Sequence, residues 1–158
     1  MIGKMGIDIV KIAIFSDLSS EEIEILKNLL DLKEYAPDEV IYTEGEEGDS
    51  LNIIVEGKVR INKRMVEGDQ FCISTLKEGD VFGIMSFLDG SRHDATIVSD
   101  QKTALLVLRR GDFKNLYSSN PLIAAKILNR LAMHLASIVR NMNTQYMDLM
   151  HLMFRRSK

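Results

Sequence analysis

Apolar residues between Glu39 and Leu108 occur in short runs that are rich in β-branched side chains. Glycine and acidic residues separate the runs, for example at Glu56-Gly57 and Glu78-Gly79-Asp80. Short apolar runs with turn residues between them are typical of strands joined by tight turns. The strands predicted in this way cover residues 40–42, 52–55, 58–61, 70–73, 81–82, 96–98 and 103–108. This pattern predicts a mainly β fold with flanking helices, built as an antiparallel double-sheet jelly-roll barrel.

Two glycines mark turns within this region. Gly57 stands between two apolar runs, where a sharp chain reversal favours a residue without a β-carbon. Gly68 precedes Asp69, and the pair is typical of a hairpin turn with positive φ. We therefore predict a reversal at Gly57 and a hairpin at Gly68-Asp69.

Helical spacing appears before the strands. Ser19 with Glu22 three residues later has the pattern of a capping box. The apolar residues after it continue at helical spacing, which predicts a helix to about Asp31; they are Ile23, Leu26, Leu29 and Leu30. Residues 1–14 are a lead-in to the domain. A short helix there would place Ile7, Val10 and Ile14 on one side.

Helical spacing returns after Leu108. Asp112 is suited to the start of a short helix that runs through Tyr117, and Pro121 to the first position of a longer one. The predicted divisions are therefore 1–14, a jelly roll with flanking helices over 15–118, and a long helix with a basic tail over 119–158.

The long helix carries a heptad series. Its members alternate in steps of three and four residues: Leu128, Leu131, Leu135, Ile138, Met142, Gln145, Leu149 and Leu152. Ile123, Ile127 and Leu131 could instead cover the chain's own barrel. Since Pro121–Phe154 would span about 50 Å, longer than one barrel, the pattern predicts a parallel homodimer through this helix.

Composition excludes several classes of protein. With 20 basic and 23 acidic residues the net charge is −3, so the chain as a whole lacks the excess of positive charge that is typical of nucleic-acid-binding proteins. No uninterrupted apolar segment predicts a membrane span. The single cysteine, Cys72, suits a reducing compartment such as the cytoplasm, and its apolar neighbours predict a buried thiol. His93, His134 and His151 are too scattered for a metal site, and no catalytic set is present.

The stretch Phe82–Thr96 resembles the phosphate-binding cassette of the cyclic-nucleotide-binding domain family, which includes catabolite-activator-like proteins and protein-kinase-A regulatory subunits. The matching positions in the cassette are Phe82, Gly83, Met85, Leu88, Ala95 and Thr96. An earlier block also matches in order and distance, with Gly45, Gly48, Leu51, Gly57 and Val59. The resemblance covers roughly residues 15–140. It implies ligand-binding roles for Phe82, Gly83, Ile84, Met85, Ser86, Arg92, His93, Asp94 and Ala95.

The cassette departs from the family pattern at two positions. Ile84 replaces the glutamate that accepts from the ribose hydroxyl, and His93 replaces the arginine that grips the cyclic phosphate. If each lost charged hydrogen bond is worth about 1.5–3 kcal/mol, affinity falls about a hundred- to ten-thousandfold. Arg92 could move to the phosphate, whereas Asp94 would repel it. The resemblance implies cAMP or cGMP as ligand, and the departures favour weakened binding, another small anion or a non-cyclic ligand.

The sequence thus predicts a non-catalytic, homodimeric regulatory or sensor module that acts on an unknown protein partner. Two alternatives stay open. One is a dimerising interaction module without a ligand, in which Arg92, His93 and Asp94 form a solvated turn. The other is a relative of transcription regulators without their helix-turn-helix domain, for which direct DNA binding is not expected.

Overall fold

The computed structural model describes residues 8–65 and 70–155 of the chain. Two 3₁₀ turns, Ile9–Lys11 and Ala13–Phe15, precede the first helix. The helices are α1 (Ser20–Lys27), α2 (Ile84–Asp89), α3 (Arg110–Ser119) and α4 (Pro121–Arg155). The strands are β1 (Leu30–Tyr35), β2 (Val40–Tyr42), β3 (Ser50–Glu56), β4 (Lys58–Arg64), β5 (Gln70–Lys77), β6 (Val81–Phe82), β7 (Thr96–Ser99) and β8 (Thr103–Arg109).

The strands form two antiparallel sheets, which confirms the predicted double-sheet fold. The first sheet has the order β1-β8-β3-β6 and the second the order β2-β7-β4-β5. Side chains between the sheets form one apolar cluster, to which β8 contributes Leu105 and Val107. Leu106 and Leu108 point to the other face of β8 and pack with the helices. Strand β8 is therefore buried on both faces, which explains its continuous apolar run.

Helix α1 begins as predicted and ends earlier than predicted. Ser19 Oγ accepts from the Glu22 N–H, and the Glu22 carboxylate accepts from the Ser19 N–H, which confirms the capping box. The helix stops at Lys27, and Leu30 is already part of β1, where it pairs with Leu108. The prediction of a helix to about Asp31 is wrong because pairing with β8 outweighs the local helical spacing.

The N-terminal segment is not the amphipathic helix that we predicted. Ile14 is buried in the core, whereas Val10 is 50% exposed, so the two residues do not share a buried side. The paired 3₁₀ turns at Ile9–Lys11 and Ala13–Phe15 bring Ile9 and Phe15 into the core instead. Ile7 lies outside the described residues.

Strand β5 lies at the edge of the second sheet. It pairs with β4 alone among the described strands, and Phe71 and Ile73 on it are exposed. Cys72 is exposed as well, so the prediction of a buried thiol is wrong. Gly57, between β3 of the first sheet and β4 of the second, has φ +93°, and a β-carbon there would stand 2.4 Å from the Lys102 carbonyl oxygen, so the position favours glycine. The predicted turn at Gly68-Asp69 and the tail from Arg156 onward lie outside the described residues.

Helix α4 begins at Pro121, as predicted, and continues for 35 residues. Its first turns pack on the core through Ile123, Ile127 and Leu131. Two ion pairs fix this part to the N-terminal region, Lys126 Nζ to Glu22 Oε2 at 2.6 Å and Arg130 Nε to Asp17 Oδ2 at 2.6 Å.

The distal part of α4 is mostly exposed. An 18-residue segment within Pro121–Phe154 has a mean hydropathy of 1.4, and 22% of this segment is buried. By length and composition alone the helix could cross a membrane. A single helix of this kind is weak evidence for a membrane span, because a helix that packs on a protein core can have the same length and composition.

Candidate functional site

The cassette is positioned by a short strand and a left-handed glycine. Strand β6 pairs with β3 and delivers Phe82 to the space between the sheets. Gly83 follows with φ +77°, and a β-carbon there would stand 2.7 Å from the Ser50 carbonyl oxygen. Glycine is therefore required at this turn. Helix α2 runs from Ile84 to Asp89, and Gly90, which follows its last residue, has φ +76°.

Ile84 occupies the position of the family's glutamate. Its side chain is buried at 6% exposure and packs in the cluster between the first sheet and the helices. An aliphatic side chain can neither accept a hydrogen bond nor carry charge. This position therefore contributes packing and an apolar wall.

His93 is buried and held on three sides. Its ring stacks on Tyr42, with ring centroids 3.5 Å apart and an angle of 4° between the planes. Its Nδ1 lies 3.3 Å from Ser86 Oγ. Its main-chain N–H donates to the Glu46 carbonyl, and its carbonyl accepts from the Gly45 N–H. The imidazole is therefore an ordered part of the site and not part of a solvated turn.

Burial lowers the pKa of His93, and the carboxylates of Glu46, Asp49 and Asp94 oppose this effect without reversing it. Lowering the pKa from an ordinary value of 6.5 makes the imidazole predominantly neutral at neutral pH. A neutral imidazole offers one donor and one acceptor. Burial also raises the pKa of Tyr42, with a smaller contribution from Asp94.

Arg92 and Asp94 flank His93 on the surface. One guanidinium nitrogen of Arg92 donates to the Gly45 carbonyl at 2.7 Å. The Asp94 carbonyl accepts from Lys63 Nζ, and Lys63 also pairs with Glu44 at 3.2 Å. One nitrogen of Arg92 is thus engaged by the Gly45–Gly48 loop, while its side chain still takes part in the cavity wall.

These side chains line a cavity of about 180 Å³. All nine residues that the cassette resemblance implied take part in its wall: Phe82, Gly83, Ile84, Met85, Ser86, Arg92, His93, Asp94 and Ala95. Tyr42, Ile61 and Ile97 complete the wall, although no sequence pattern pointed to them. Tyr42 lies 51 positions before His93, so only the three-dimensional fold could reveal that the two rings stack.

The proposed interface residues of α4 lie elsewhere. None of the six lines this cavity, and they change from buried to exposed along the helix. Leu131 is buried and Leu128 and Leu135 are partly buried, whereas Ile138, Met142 and Leu149 are exposed.

Arg110 connects the cassette helix to α3. Its main-chain N–H donates to the Asp49 carbonyl at 2.6 Å, and its Nε donates to the Phe87 carbonyl of α2 at 3.0 Å. The rings of Phe87 and Phe113 also pack at 5.0 Å. Helix α2 is therefore fixed to α3 by polar and aromatic contacts. Among the described residues no group of His, Cys, Asp or Glu side chains could hold a metal ion.

Comparison with known proteins matches this architecture. The profile of the cyclic nucleotide-binding domain family matches residues 32–120. The chain is 30% identical to the cyclic AMP receptor protein of Thermus thermophilus over 122 residues, which are 77% of this chain and 56% of that protein. A cyclic nucleotide-binding domain from Methylobacillus flagellatus superposes with a TM-score of 0.76 at 30% identity, covering 83% of this chain and 74% of that one.

A third similar structure is the regulatory subunit of a cAMP-independent protein kinase A from Trypanosoma cruzi bound to guanosine. It has a TM-score of 0.67 and 26% identity, covering 87% of this chain and 50% of that one. The chain spans less than two thirds of the length of the Thermus receptor protein and of a kinase regulatory subunit from Yarrowia lipolytica. With the profile matching more than half of its residues, the chain belongs to the cyclic nucleotide-binding domain family and is a domain of the regulatory type.

Proposed function

We propose that this domain is a non-catalytic, homodimeric regulatory module whose cassette binds cAMP and cGMP weakly and prefers an uncharged, ring-containing ligand such as a nucleoside. The carrying observation is the buried His93, which stacks on Tyr42 and contacts Ser86 at the position of the family's arginine. The module would act in the cytoplasm on a protein partner.

A cyclic phosphate brings a full negative charge into the cavity. His93 is predominantly neutral and supplies one hydrogen bond, whereas an arginine supplies a charged fork. Ile84 supplies none to the ribose. The loss of both charged hydrogen bonds, at about 1.5–3 kcal/mol each, weakens cyclic-nucleotide binding by about a hundred- to ten-thousandfold.

An uncharged nucleoside avoids the larger part of this loss, because it has no phosphate that needs a charged fork; the missing acceptor for the ribose hydroxyl affects both kinds of ligand. The cavity of about 180 Å³ combines apolar walls from Phe82, Ile84 and Ile97 with a hydroxyl and a neutral imidazole. It is smaller than the ~300–1,000 Å³ of most small-molecule sites, which favours a compact ligand. The guanosine bound by the Trypanosoma cruzi relative supports a nucleoside as the first candidate.

Titration calorimetry with cAMP, cGMP and guanosine tests the ligand preference. We expect dissociation constants for cAMP and cGMP in the high micromolar range or above, and a lower dissociation constant for guanosine. The double change Ile84→Glu with His93→Arg should improve cAMP affinity at least a hundredfold, because it restores both charged groups. His93→Arg alone should give part of that gain and avoids placing a charge in the core.

Ser91→Arg is the matched control for the added charge. Ser91 is exposed and is not part of the cavity wall, so this variant should leave cAMP affinity unchanged. Low-micromolar cAMP binding by the unmodified chain would overturn the proposal. Binding of none of the three compounds would favour the ligand-independent interaction module.

The dimer is proposed to form through the heptad positions of α4. Ile138, Met142 and Leu149 are exposed along one side of the helix, where a partner helix would cover them. The unmodified chain should be at least dimeric at tens of micromolar by sedimentation. Leu135→Lys with Ile138→Lys should give a folded monomer. A monomeric unmodified chain would contradict this part of the proposal.

A further inference from the structure

The two ring nitrogens of His93 have different surroundings. Nδ1 lies 3.3 Å from Ser86 Oγ. Nε2 makes no hydrogen bond to any residue that the structure describes, although the side chain is buried, with 8% of the residue exposed. Every fully enclosed side-chain nitrogen or oxygen in the described part of the chain has a hydrogen-bond partner. Nε2 is therefore not enclosed, and because His93 belongs to the wall of the cassette cavity, Nε2 opens toward that cavity.

The contacts of Ser86 determine where the imidazole carries its hydrogen. Ser86 Oγ lies 3.2 Å from the Gly83 carbonyl oxygen as well as 3.3 Å from His93 Nδ1. A carbonyl can only accept, so the single hydroxyl hydrogen of Ser86 points to Gly83. Both contacts are then hydrogen bonds only if Nδ1 of His93 donates to Ser86 Oγ. In a neutral imidazole the second nitrogen, Nε2, is consequently an acceptor.

The imidazole ring is held in this orientation by its neighbours. One face of the ring stacks on Tyr42, with the centroids 3.5 Å apart. A β-carbon on Gly48 would stand 2.8 Å from His93 Cε1, so the loop packs closely against this edge of the ring. A ring turned by half a revolution would place a carbon beside Ser86 Oγ and would lose the hydrogen bond. The lone pair of Nε2 is therefore a fixed feature of the cavity wall.

A fixed acceptor distinguishes a nucleoside from its cyclic phosphate. The oxygens of a cyclic phosphate have no hydrogen to donate, so they would face the lone pair of Nε2 without forming a hydrogen bond. A nucleoside has free 3′- and 5′-hydroxyls at the two oxygens that a cyclic phosphate would esterify, and each hydroxyl can donate. An acceptor that is buried without a partner costs more than an ordinary hydrogen bond contributes.

We propose that Nε2 of His93 accepts a hydrogen bond from the 3′- or the 5′-hydroxyl of a bound nucleoside, and that this bond makes the cavity select nucleosides over cyclic nucleotides. The inference rests on the proposed function, because it requires a nucleoside in this cavity. Ile84 gives the opposite expectation for the 2′-hydroxyl. Its aliphatic side chain stands at the position of the family's glutamate and cannot accept a hydrogen bond from that group.

Titration calorimetry of the full chain with guanosine and its 2′-, 3′- and 5′-deoxy analogues tests the proposal. At about pH 8 the imidazole is neutral, because burial lowers the pKa of His93 from its ordinary value. Removing either the 3′- or the 5′-hydroxyl should weaken binding about 5- to 100-fold, because Nε2 loses its donor. The matched control ligand is 2′-deoxyguanosine, which should bind within about twofold of guanosine.

Two variants assign this sensitivity to the imidazole. His93→Phe keeps an aromatic ring for the stack on Tyr42 but has no ring nitrogen, so it should bind guanosine and the weaker deoxy analogue equally. Ser86→Ala removes the acceptor of the Nδ1 hydrogen and should reduce the difference between the two ligands. The matched control is Ser91→Ala, because Ser91 is exposed and lies outside the cavity wall.

Nitrogen NMR of the chain labelled with isotopic histidine reports the tautomer without any ligand. We expect a hydrogen on Nδ1 of His93 and none on Nε2, and the two signals should be absent from His93→Phe. Ser86→Ala should remove this preference, whereas Ser91→Ala should retain it. A hydrogen on Nε2 in the unmodified chain overturns the inference whether or not a nucleoside binds.

The outcomes separate this inference from the proposed function. If guanosine binds and all three deoxy analogues bind equally well, the role of Nε2 is refuted and the proposed nucleoside site stands. If only the 2′-deoxy analogue binds more weakly, the role of Nε2 is also refuted. If guanosine does not bind, the proposed function fails, and the hydrogen bond to a sugar hydroxyl fails with it.

Discussion

Gly48 lies where the loop before β3 meets the cassette, and alanine at this position is a sharp test of the site geometry. A β-carbon there would stand 2.3 Å from Ser86 Cβ and Oγ and 2.8 Å from His93 Cε1. Gly48 is not among the glycines with positive φ, so the backbone accepts alanine without strain. The effect of Gly48→Ala is therefore steric, and the loop or α2 must move to relieve it.

Overpacking of this kind costs about 1–3 kcal/mol of unfolding free energy. For a chain of this length each kcal/mol lowers the melting temperature by about 2–4 °C, so a cost of 2 kcal/mol gives about 4–8 °C. Thermal and urea unfolding followed by circular dichroism measure it. Gly111→Ala is the matched control, because its β-carbon meets no described atom within 4 Å and alanine favours helix α3 by up to about 1 kcal/mol.

A double-mutant cycle links the cost to the predicted contact. Ser86→Gly removes both atoms at 2.3 Å, so Gly48→Ala should cost less in that background, with a coupling energy of about 0.5–3 kcal/mol. The reasoning is refuted if Gly48→Ala unfolds at the unmodified temperature. It is also refuted if the substitution costs the same in both backgrounds.

Three further predictions concern other parts of the molecule. Because burial lowers the pKa of His93, the imidazole binds a proton more tightly in the unfolded chain than in the folded one. The contribution of His93 to the free energy of unfolding is therefore complete above pH 6.5 and decreases as the pH falls below that value. The urea midpoint should thus decrease from about pH 7 to pH 5, and less in His93→Gln. Ile127→Ala should cost about 2–5 kcal/mol in chemical denaturation because the side chain is fully buried, whereas Leu122→Ala, at 62% exposure, should change stability by less than about 0.5 kcal/mol. Cys72 is exposed and should react fully with a thiol reagent in the native chain; reaction only after denaturation would contradict the edge position of β5.

Local sequence patterns correctly predicted the helix starts, which depend on residues close together in the chain. The Ser19–Glu22 capping box needs only residues three positions apart, and the structure forms both of its hydrogen bonds. Pro121 likewise begins α4 because its fixed φ and missing N–H suit the first helical position. The nine positions that the family resemblance implied also lie in one cavity wall.

Features that depend on contacts between residues far apart in the chain could not be predicted from the sequence. Leu30 continues a helical spacing, yet it pairs with Leu108, which no local window contains. Cys72 has apolar neighbours on both sides and would be buried in a central strand, but β5 is at a sheet edge. The Tyr42–His93 stack joins strand β2 to the loop between α2 and β7, which are distant in sequence, and burial at this place lowers the pKa of His93.

The contacts of Arg110 have a thermodynamic consequence. This residue ties the Phe87 carbonyl of the cassette helix to the first turn of α3, and Phe113 of α3 packs in the same cluster as Ile123 of α4. A ligand that displaces α2 must break this tie or carry α3 and α4 with it. In the proposed dimer, ligand occupancy and dimerisation then share a coupling free energy, and reciprocity requires that each changes the equilibrium of the other by the same factor. The affinity of the cassette should therefore depend on protein concentration.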